Sequence, residues 1–248
     1  MKITINDDFD LDKIISSGQC FRPCAISESP QIYRFIYRQH VLYITNEDQN
    51  IYDVSCNMNE WNEIWSVYFD LKRDYEGIRN GIPCDDTYMY ESSIDGKGIR
   101  ILKQDKWEML ISFIISQRKS IPAIRSCIEK LCLKYGSKIS TKKEDVYLFP
   151  TAEQMINADE NELALCGLGY RIGYILDAVK KVYYKEIDLD RIEKLSDDDL
   201  FSELTCIKGV GKKVANCIML FAYNRTARAP VDVWIARVID EFYNGNDP

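Results

Sequence analysis

The chain has a single histidine among 248 residues, and His40 lies in a strand-like segment. Chemistry that needs a histidine base or several histidine ligands is therefore poorly supported, and His40 reads as structural. Nor does any apolar run approach the roughly 20 residues that span a bilayer. The N-terminal "MKITINDDFD" carries acids where a secretory leader needs an apolar core. No membrane partner is expected, and the cytoplasm is the expected compartment, nucleoid-associated in a bacterium. The nine cysteines are odd in number and scattered from Cys20 to Cys217 without the paired spacing of a metal site. They fit reduced thiols better than a disulfide framework, and no zinc or iron–sulfur centre is expected. Positive charge is also short: 32 lysines and arginines face 39 acids, for a net charge of −7. That balance argues weakly against a nucleic-acid partner, because phosphate binding is driven by cations that release counterions. Distribution counts for more than the total. Positive groups cluster in "GKGIRILKQDK", "SQRKS" and "KGVGKK", which leaves room for a basic face on an acidic protein.

Forty-six per cent of the residues are hydrophobic, enough for one large core or two smaller ones. The segments "QIYRFIYRQ", "VLYITN" and "NIYDVSC" alternate roughly and are separated by turn-forming residues, as in an antiparallel meander. Near Asn57 the period changes. Trp61, Ile64, Trp65 and Tyr68 fall at i, i+3, i+4 and i+7, which predicts a helix with one apolar face, and the pattern stays almost wholly helical from there. "KWEMLISFIISQ" is apolar nearly all round and predicts a helix at the centre of a bundle. Pro122 can open the next helix, with Ile124, Cys127, Ile128 and Leu131 as its buried stripe. Thr151 begins a capping-box pattern, Ser196 precedes three acids suited to a helix N-terminus, and the glycines of "CGLGYR" make a tight connection. No internal repeat or low-complexity linker appears. The expected architecture is α+β: an antiparallel sheet domain over residues 1–94 and a helical domain over 95–248.

Within the helical part, "SDDDLFSELTC" and "KKVANCIMLFAY" read as two helices joined by the turn "IKGVG", a helix–hairpin–helix. Lys208, Gly209, Val210, Gly211 and Lys212 form the turn and the mouth of the second helix. Backbone amides there point outward unpaired and can hold a phosphate. On the glycines alone, a Gly-capped corner that binds nothing is an equal reading. Lys213 shifts the balance. It lies in the first turn beside the apolar stripe, with Cys217 one turn later on the same face. A positive helix end and partial burial both disfavour the ammonium form, so the site is expected to favour a nucleophilic amine. Lys212 points elsewhere and reads as a phosphate contact. In "APVDVW", Asp232 is placed to cap the following helix, and a carboxylate near an amine nucleophile can also stabilise positive charge developing on a sugar.

"IKGVGKKVANCI" followed by "APVDVW" resembles the helix–hairpin–helix and Gly/Pro-Asp signature of the base-excision DNA glycosylase superfamily. "SSGQCFR", "YFDLKRDY", "LISFIISQ" and "LCGLGYR" resemble the 8-oxoguanine DNA glycosylases in the same order, so the resemblance covers almost the whole chain. It implies an N-terminal domain of the 8-oxoguanine glycosylase type and a helical glycosylase domain. It also implies roles: Lys213 as the nucleophile that forms a Schiff base, Asp232 as the catalytic aspartate, and Cys217 and Phe221 at the damaged base. Gly18 matches the glycine whose carbonyl accepts the hydrogen found only on oxidised guanine. Tyr170 matches the wedge that fills the stack, and Arg171 the arginine that contacts the orphaned base. Gln117 and Arg118, in the turn after the buried helix, join the DNA-binding set.

The sequence also departs from the family. Arg118 stands where relatives carry an Asn that reads the opposite cytosine, and Ala123 where some carry a second Arg, which implies loose opposite-base preference. Sixteen residues follow Asp232, whereas the family continues into helices that complete the base pocket, so C-terminal helices are expected to be missing. The resemblance implies damaged double-stranded DNA as partner, a monomer, and no cofactor or metal needed for the chemistry. A metal ion at the carbonyls of Ile207 or Gly209 could bridge a phosphate, as in relatives. The reading favoured is a bifunctional oxidised-purine glycosylase and AP lyase. The alternatives are a glycosylase for alkylated bases or oxidised pyrimidines and a non-catalytic DNA-binding module. Lys213 argues against the alkyl-base relatives that lack a nucleophile, and the absence of a terminal four-cysteine cluster argues against endonuclease III.

Overall fold

The computed structural model describes residues 1–245. Five strands form one antiparallel sheet: β1 (Lys2–Thr4), β2 (Cys24–Glu28), β3 (Gln31–Tyr37), β4 (His40–Asp48) and β5 (Ile51–Val54), in the order β1-β5-β4-β3-β2. The three central strands are those the alternating pattern predicts. The two edge strands escape it because one has three residues and the other carries a register shift between Ala25 and Ser27, so neither shows a sustained period of two.

One face of the sheet packs on the aromatic helix predicted from Trp61 onward. That helix contains a π turn over Trp61–Trp65. In an ideal α-helix, residues four apart drift round the axis, and the wider turn offsets the drift. Trp61, Trp65 and Phe69 thereby share the buried side. Phe69 meets Phe35 and Phe9 edge-on, with centroids 5.0 and 5.1 Å apart. His40 lies 3.3 Å from Glu60.

A second core is helical. Its axis is the helix Lys106–Ser116, in which Met109 to Ile115 are all buried, capped by Asp105 through the amides of Trp107 and Glu108. The helix Ile121–Tyr135 opens with its proline and buries Ile124, Cys127, Ile128 and Leu131, as predicted. Thr151 and Gln154 form the expected capping box, and Ser196 caps Asp197–Thr205. One feature contradicts the wholly helical expectation: β6 (Lys138–Ser140) and β7 (Asp145–Tyr147) pair as a small hairpin. Three-residue strands closed by local polar bonds, such as Ser140 to Asp145, leave no periodicity to detect. The buried residues of the first core run to Leu102, and those of the second, Phe21 apart, begin at Met109. Among the described residues no helix is long and apolar enough to cross a membrane.

Most of the first basic cluster is engaged within the protein. Arg100 is fully buried at the junction of the two cores, Lys103 pairs with Asp70 at 3.0 Å, and Lys106 pairs with Asp190 and Glu193 at 2.7 Å. Spacing in sequence cannot distinguish a cation spent inside from one facing solvent.

Glu108, also buried at the junction, has its carboxyl pushed up from 4.5 to about 7 by burial, with Arg22 pulling down and Asp105 and Glu129 pushing up. The proton stays on in the folded state while the unfolded chain loses it. Stability from this group therefore falls as pH rises from about 4.5 to about 7 and stays lower above. Glu108→Gln removes that loss. Relative to the parent it should be more stable at pH 8 by about 3 kcal/mol and nearly equal at pH 4.5. Urea unfolding at both pH values checks this, and an identical difference at the two would refute it.

Candidate active site

The hairpin is built as predicted. Helix Asp197–Thr205 leads into a turn and then helix Lys212–Phe221. Gly209 is required twice over: its φ is +82°, and an added Cβ would lie 2.4 Å from the Tyr174 ring. Gly211 differs. It is extended, and an added Cβ would meet nothing within 4 Å, so the fold itself does not ask for glycine there. No side chain caps this helix. Among the described residues no acceptor reaches the amides of Gly211, Lys212, Lys213 and Val214, which leaves a cradle of outward N–H groups. Gly211→Ala should leave the thermal midpoint within about 2 °C, an exposed change being nearly neutral, while weakening duplex binding about tenfold by blocking close approach. Unchanged affinity would show that no backbone comes near. The carbonyl of Ile207 already accepts from the Val210 amide, and that of Gly209 from Gln117 Nε2 at 3.0 Å. A bridging metal ion would have to share both.

Lys213 is exposed. The partial burial expected of it is not found, and helix Val233–Phe242, capped by Asp232, likewise buries none of its residues. The amine lies against the Cys217 thiol and 5.7 Å from the centre of the Phe113 ring. Burial pushes the Cys217 thiol up, Lys213 opposes the shift by charge and hydrogen bond, and Asp232 adds to it through space. These three predicted residues are therefore within electrostatic reach of one another. Asp232 Oδ1 accepts from the Trp234 and Ile235 amides at 2.9 and 3.0 Å, so the carboxylate is held as the cap its sequence position predicts. Phe221, two turns beyond Lys213, is half-buried and stacks on Phe113 with centroids 5.7 Å apart and planes at 14°.

Gly18 has φ of +81°, and no donor among the described residues reaches its carbonyl. Two glutamines that sequence reasoning missed hold its turn. Gln19 Nε2 donates to Ser17 Oγ and to the Arg100 carbonyl, while Gln19 Oε1 accepts from the Leu102 amide. Gln104 Nε2 donates to the Gln19 carbonyl at 2.8 Å, and the Gln104 amide donates to the Phe221 carbonyl at 2.8 Å. An unbroken hydrogen-bonded chain thus joins the Gly18 turn to the end of the Lys213 helix. Gln19 adjoins Gly18 in "GQCFR", but nothing local in either segment signals a buried glutamine.

The remaining predicted residues surround the hairpin. Gln117 ties its own turn to Gly209, and Lys119 donates to the Gly167 carbonyl at 2.9 Å. Arg118 is exposed in the left-handed region at φ +51°, where Asn is the better tolerated residue. Tyr170 is exposed, with its ring edge-on to Tyr174. Arg171 is buried, donating to the carbonyls of Leu168 and Gln117 and lying 4.4 Å from the Tyr170 ring. Its side chain is short of exposed partners because the two turns close over it. Lys208 is exposed, and its amide donates to Asp177 at 3.0 Å.

An antiparallel sheet in front of a helix–hairpin–helix, with a lysine in the first turn of the second helix and a capping aspartate beyond it, defines a base-excision DNA repair fold. Residues 2–110 match the family described as 8-oxoguanine DNA glycosylase, N-terminal domain, and residues 111–248 match the HhH-GPD superfamily of base excision DNA repair proteins. The chain belongs to that superfamily. A probable N-glycosylase/DNA lyase of Methanothermobacter thermautotrophicus is 30% identical over 200 residues, covering 72% of this chain and 63% of that protein. The chain thus spans less than two thirds of the length of this relative. Among solved structures, MBOgg1 with a low-affinity DNA ligand is 35% identical with a TM-score of 0.93, covering all of this chain and 84% of that one. The 8-oxoguanine glycosylase/lyase of Clostridium acetobutylicum, in complex with double-stranded DNA containing cytosine opposite 8-oxoguanine, is 33% identical with a TM-score of 0.90, covering all of this chain and 87% of that one.

Proposed function

We propose that this chain is a bifunctional DNA glycosylase and AP lyase that removes 8-oxoguanine from duplex DNA. The observation that carries the reading is the Lys213 amine, exposed at the mouth of the hairpin helix beside Cys217, on a helix whose far end is tied through Gln104 to the turn that bears the undonated Gly18 carbonyl. The hairpin amides hold a phosphate and the damaged nucleotide is turned out of the stack. The Gly18 carbonyl accepts the N–H that oxidation adds to guanine, a hydrogen that normal guanine lacks. The Nζ lone pair then forms a bond to the anomeric carbon as the bond to the base breaks, and the base departs with that electron pair and a proton. Asp232 stabilises the positive charge that develops on the sugar. The resulting amine adduct opens to a Schiff base. Loss of a proton from the adjacent sugar carbon expels the 3′ phosphate and cleaves the strand. Borohydride, which reduces the Schiff base to a stable amine, should therefore cross-link the protein to an 8-oxoguanine duplex. Release of base without any cross-link would refute the lyase half of the reading.

Opposite-base selection should be loose. Strict pairing with cytosine needs several donors on one base edge, each contributing about 1–3 kcal/mol. Here Arg171 is folded inward, Arg118 is exposed and lacks the compact amide of an Asn, and Ala123 offers no donor. Single-turnover excision opposite the four bases should agree within about tenfold, or roughly 1.4 kcal/mol. A thousandfold preference for cytosine would mean that Arg118 or Arg171 swings into place on binding.

A further inference from the structure

The contact between Lys213 and Phe113 carries a consequence beyond the reaction just described, although it rests on that reading. Phe113 is almost fully buried in the central helix, and its ring is fixed by two others. Phe221 stacks on it at 14° between planes, and Phe21 meets it nearly edge-on at 72° with centroids 5.6 Å apart. Lys213 Nζ lies 5.7 Å from the centre of this ring, within the range where an aromatic face attracts an ammonium. No carboxylate forms an ion pair with Lys213 among the described residues, so the ring and the Cys217 thiol are what position the amine. A lysine on the surface has four rotatable bonds and is otherwise free to point into solvent. We propose that Phe113 is a positioning residue: its rigid π face seats the Lys213 side chain, as an ammonium, over the reaction site before the damaged nucleotide arrives, and the ammonium passes its proton to water before the amine attacks.

The buried part of this arrangement makes a fluorination series the cleanest test, since fluorine weakens the negative face of the ring and scarcely alters its size. Mono-, di- and trifluorophenylalanine at position 113 should slow single-turnover borohydride trapping stepwise, to about fivefold for the last, with duplex affinity unchanged within about twofold. Phe113→Leu should slow trapping at least as much. Equal rates across the fluorinated series would overturn the proposal and leave Phe113 a packing residue. An independent measurement needs no activity: the ε-methylene protons of Lys213, assigned by their absence in Lys213→Gln, should resonate upfield of the other lysines in the unbound protein. They should return to the ordinary position in Phe113→Leu. An unshifted Lys213 signal in the parent overturns the seating whatever the enzyme does. If instead the signal is shifted and the parent never cross-links, the proposed function fails and the seating stands.

Discussion

Lys213→Gln is expected to abolish base release and borohydride trapping, by about ten-thousandfold or more, while duplex affinity stays within about threefold. The asymmetry follows from where the residue stands. Lys213 is exposed in the first turn, so its replacement by a polar side chain of similar length leaves the helix and its free amides in place. Backbone amides and Lys212 hold the phosphate in the proposed complex, and neither is touched. What disappears is the amine that, among the described residues, lies beside Cys217 and 5.7 Å from the centre of the Phe113 ring. Lys212→Gln gives the reverse pattern, with weaker binding to every duplex and a shallower dependence on salt. Residual cross-linking by Lys213→Gln would transfer the nucleophile to another amine, for which Lys212 is the nearest in sequence.

The largest loss of stability is expected for Arg100→Met. The guanidinium is fully buried and donates to the carbonyls of Phe69, Asp8, Asp70 and Arg73 and to Asp7 Oδ2, at 2.7 to 3.0 Å. It also lies 4.1 Å from the centre of the Tyr75 ring. Methionine fills the space of the stem but takes the guanidinium donors from the carbonyls of Phe69, Asp8 and Arg73, while the Asp70 carbonyl keeps the Arg73 amide and the Asp7 carboxylate keeps the Tyr75 and Glu76 amides. Removing one partner from a buried charged network costs about 3–5 kcal/mol, enough to lower the thermal midpoint of a protein this size by about 10 °C. A drop of only a degree or two would mean that water enters and replaces the lost donors.

Much of this molecule could be read from its sequence, and the failures share a cause. The central strands, the buried helix, the stripe from Ile124 to Leu131, both caps and the hairpin are local patterns, in which neighbours along the chain carry the signal. The placement of Lys213 in the first turn, Cys217 one turn later and Asp232 as a helix cap was legible for the same reason, as parts of short motifs. Burial of charge was not. Arg100 and Arg171 look like surface cations in a window of ten residues, yet each is enclosed by segments far away in the chain. Lys213 fails in the opposite direction, predicted partly buried and found exposed, because a position beside an apolar stripe does not say whether anything covers it. The edge strands and the β6-β7 hairpin were too short for any period to register. Gln19 and Gln104 were invisible because their role lies in whom they bond, across more than eighty residues.

That last connection sets a limit on how the protein can err. A sensor and a cutter mounted on separate mobile parts can drift, and a drifting gauge passes wrong parts. Here the turn bearing the Gly18 carbonyl and the helix bearing Lys213 are fastened by two bonds of 2.8 Å, one from the buried Gln104 side chain and one from its backbone amide, so under the proposed reading they act as the fixed jaws of one gauge. Under the proposed reading, an undamaged guanine that enters cannot be accommodated by opening the jaws, since either jaw moves only by tearing two buried amides from their partners. Fidelity would then come from stiffness between two sites as much as from the single hydrogen bond that one of them offers.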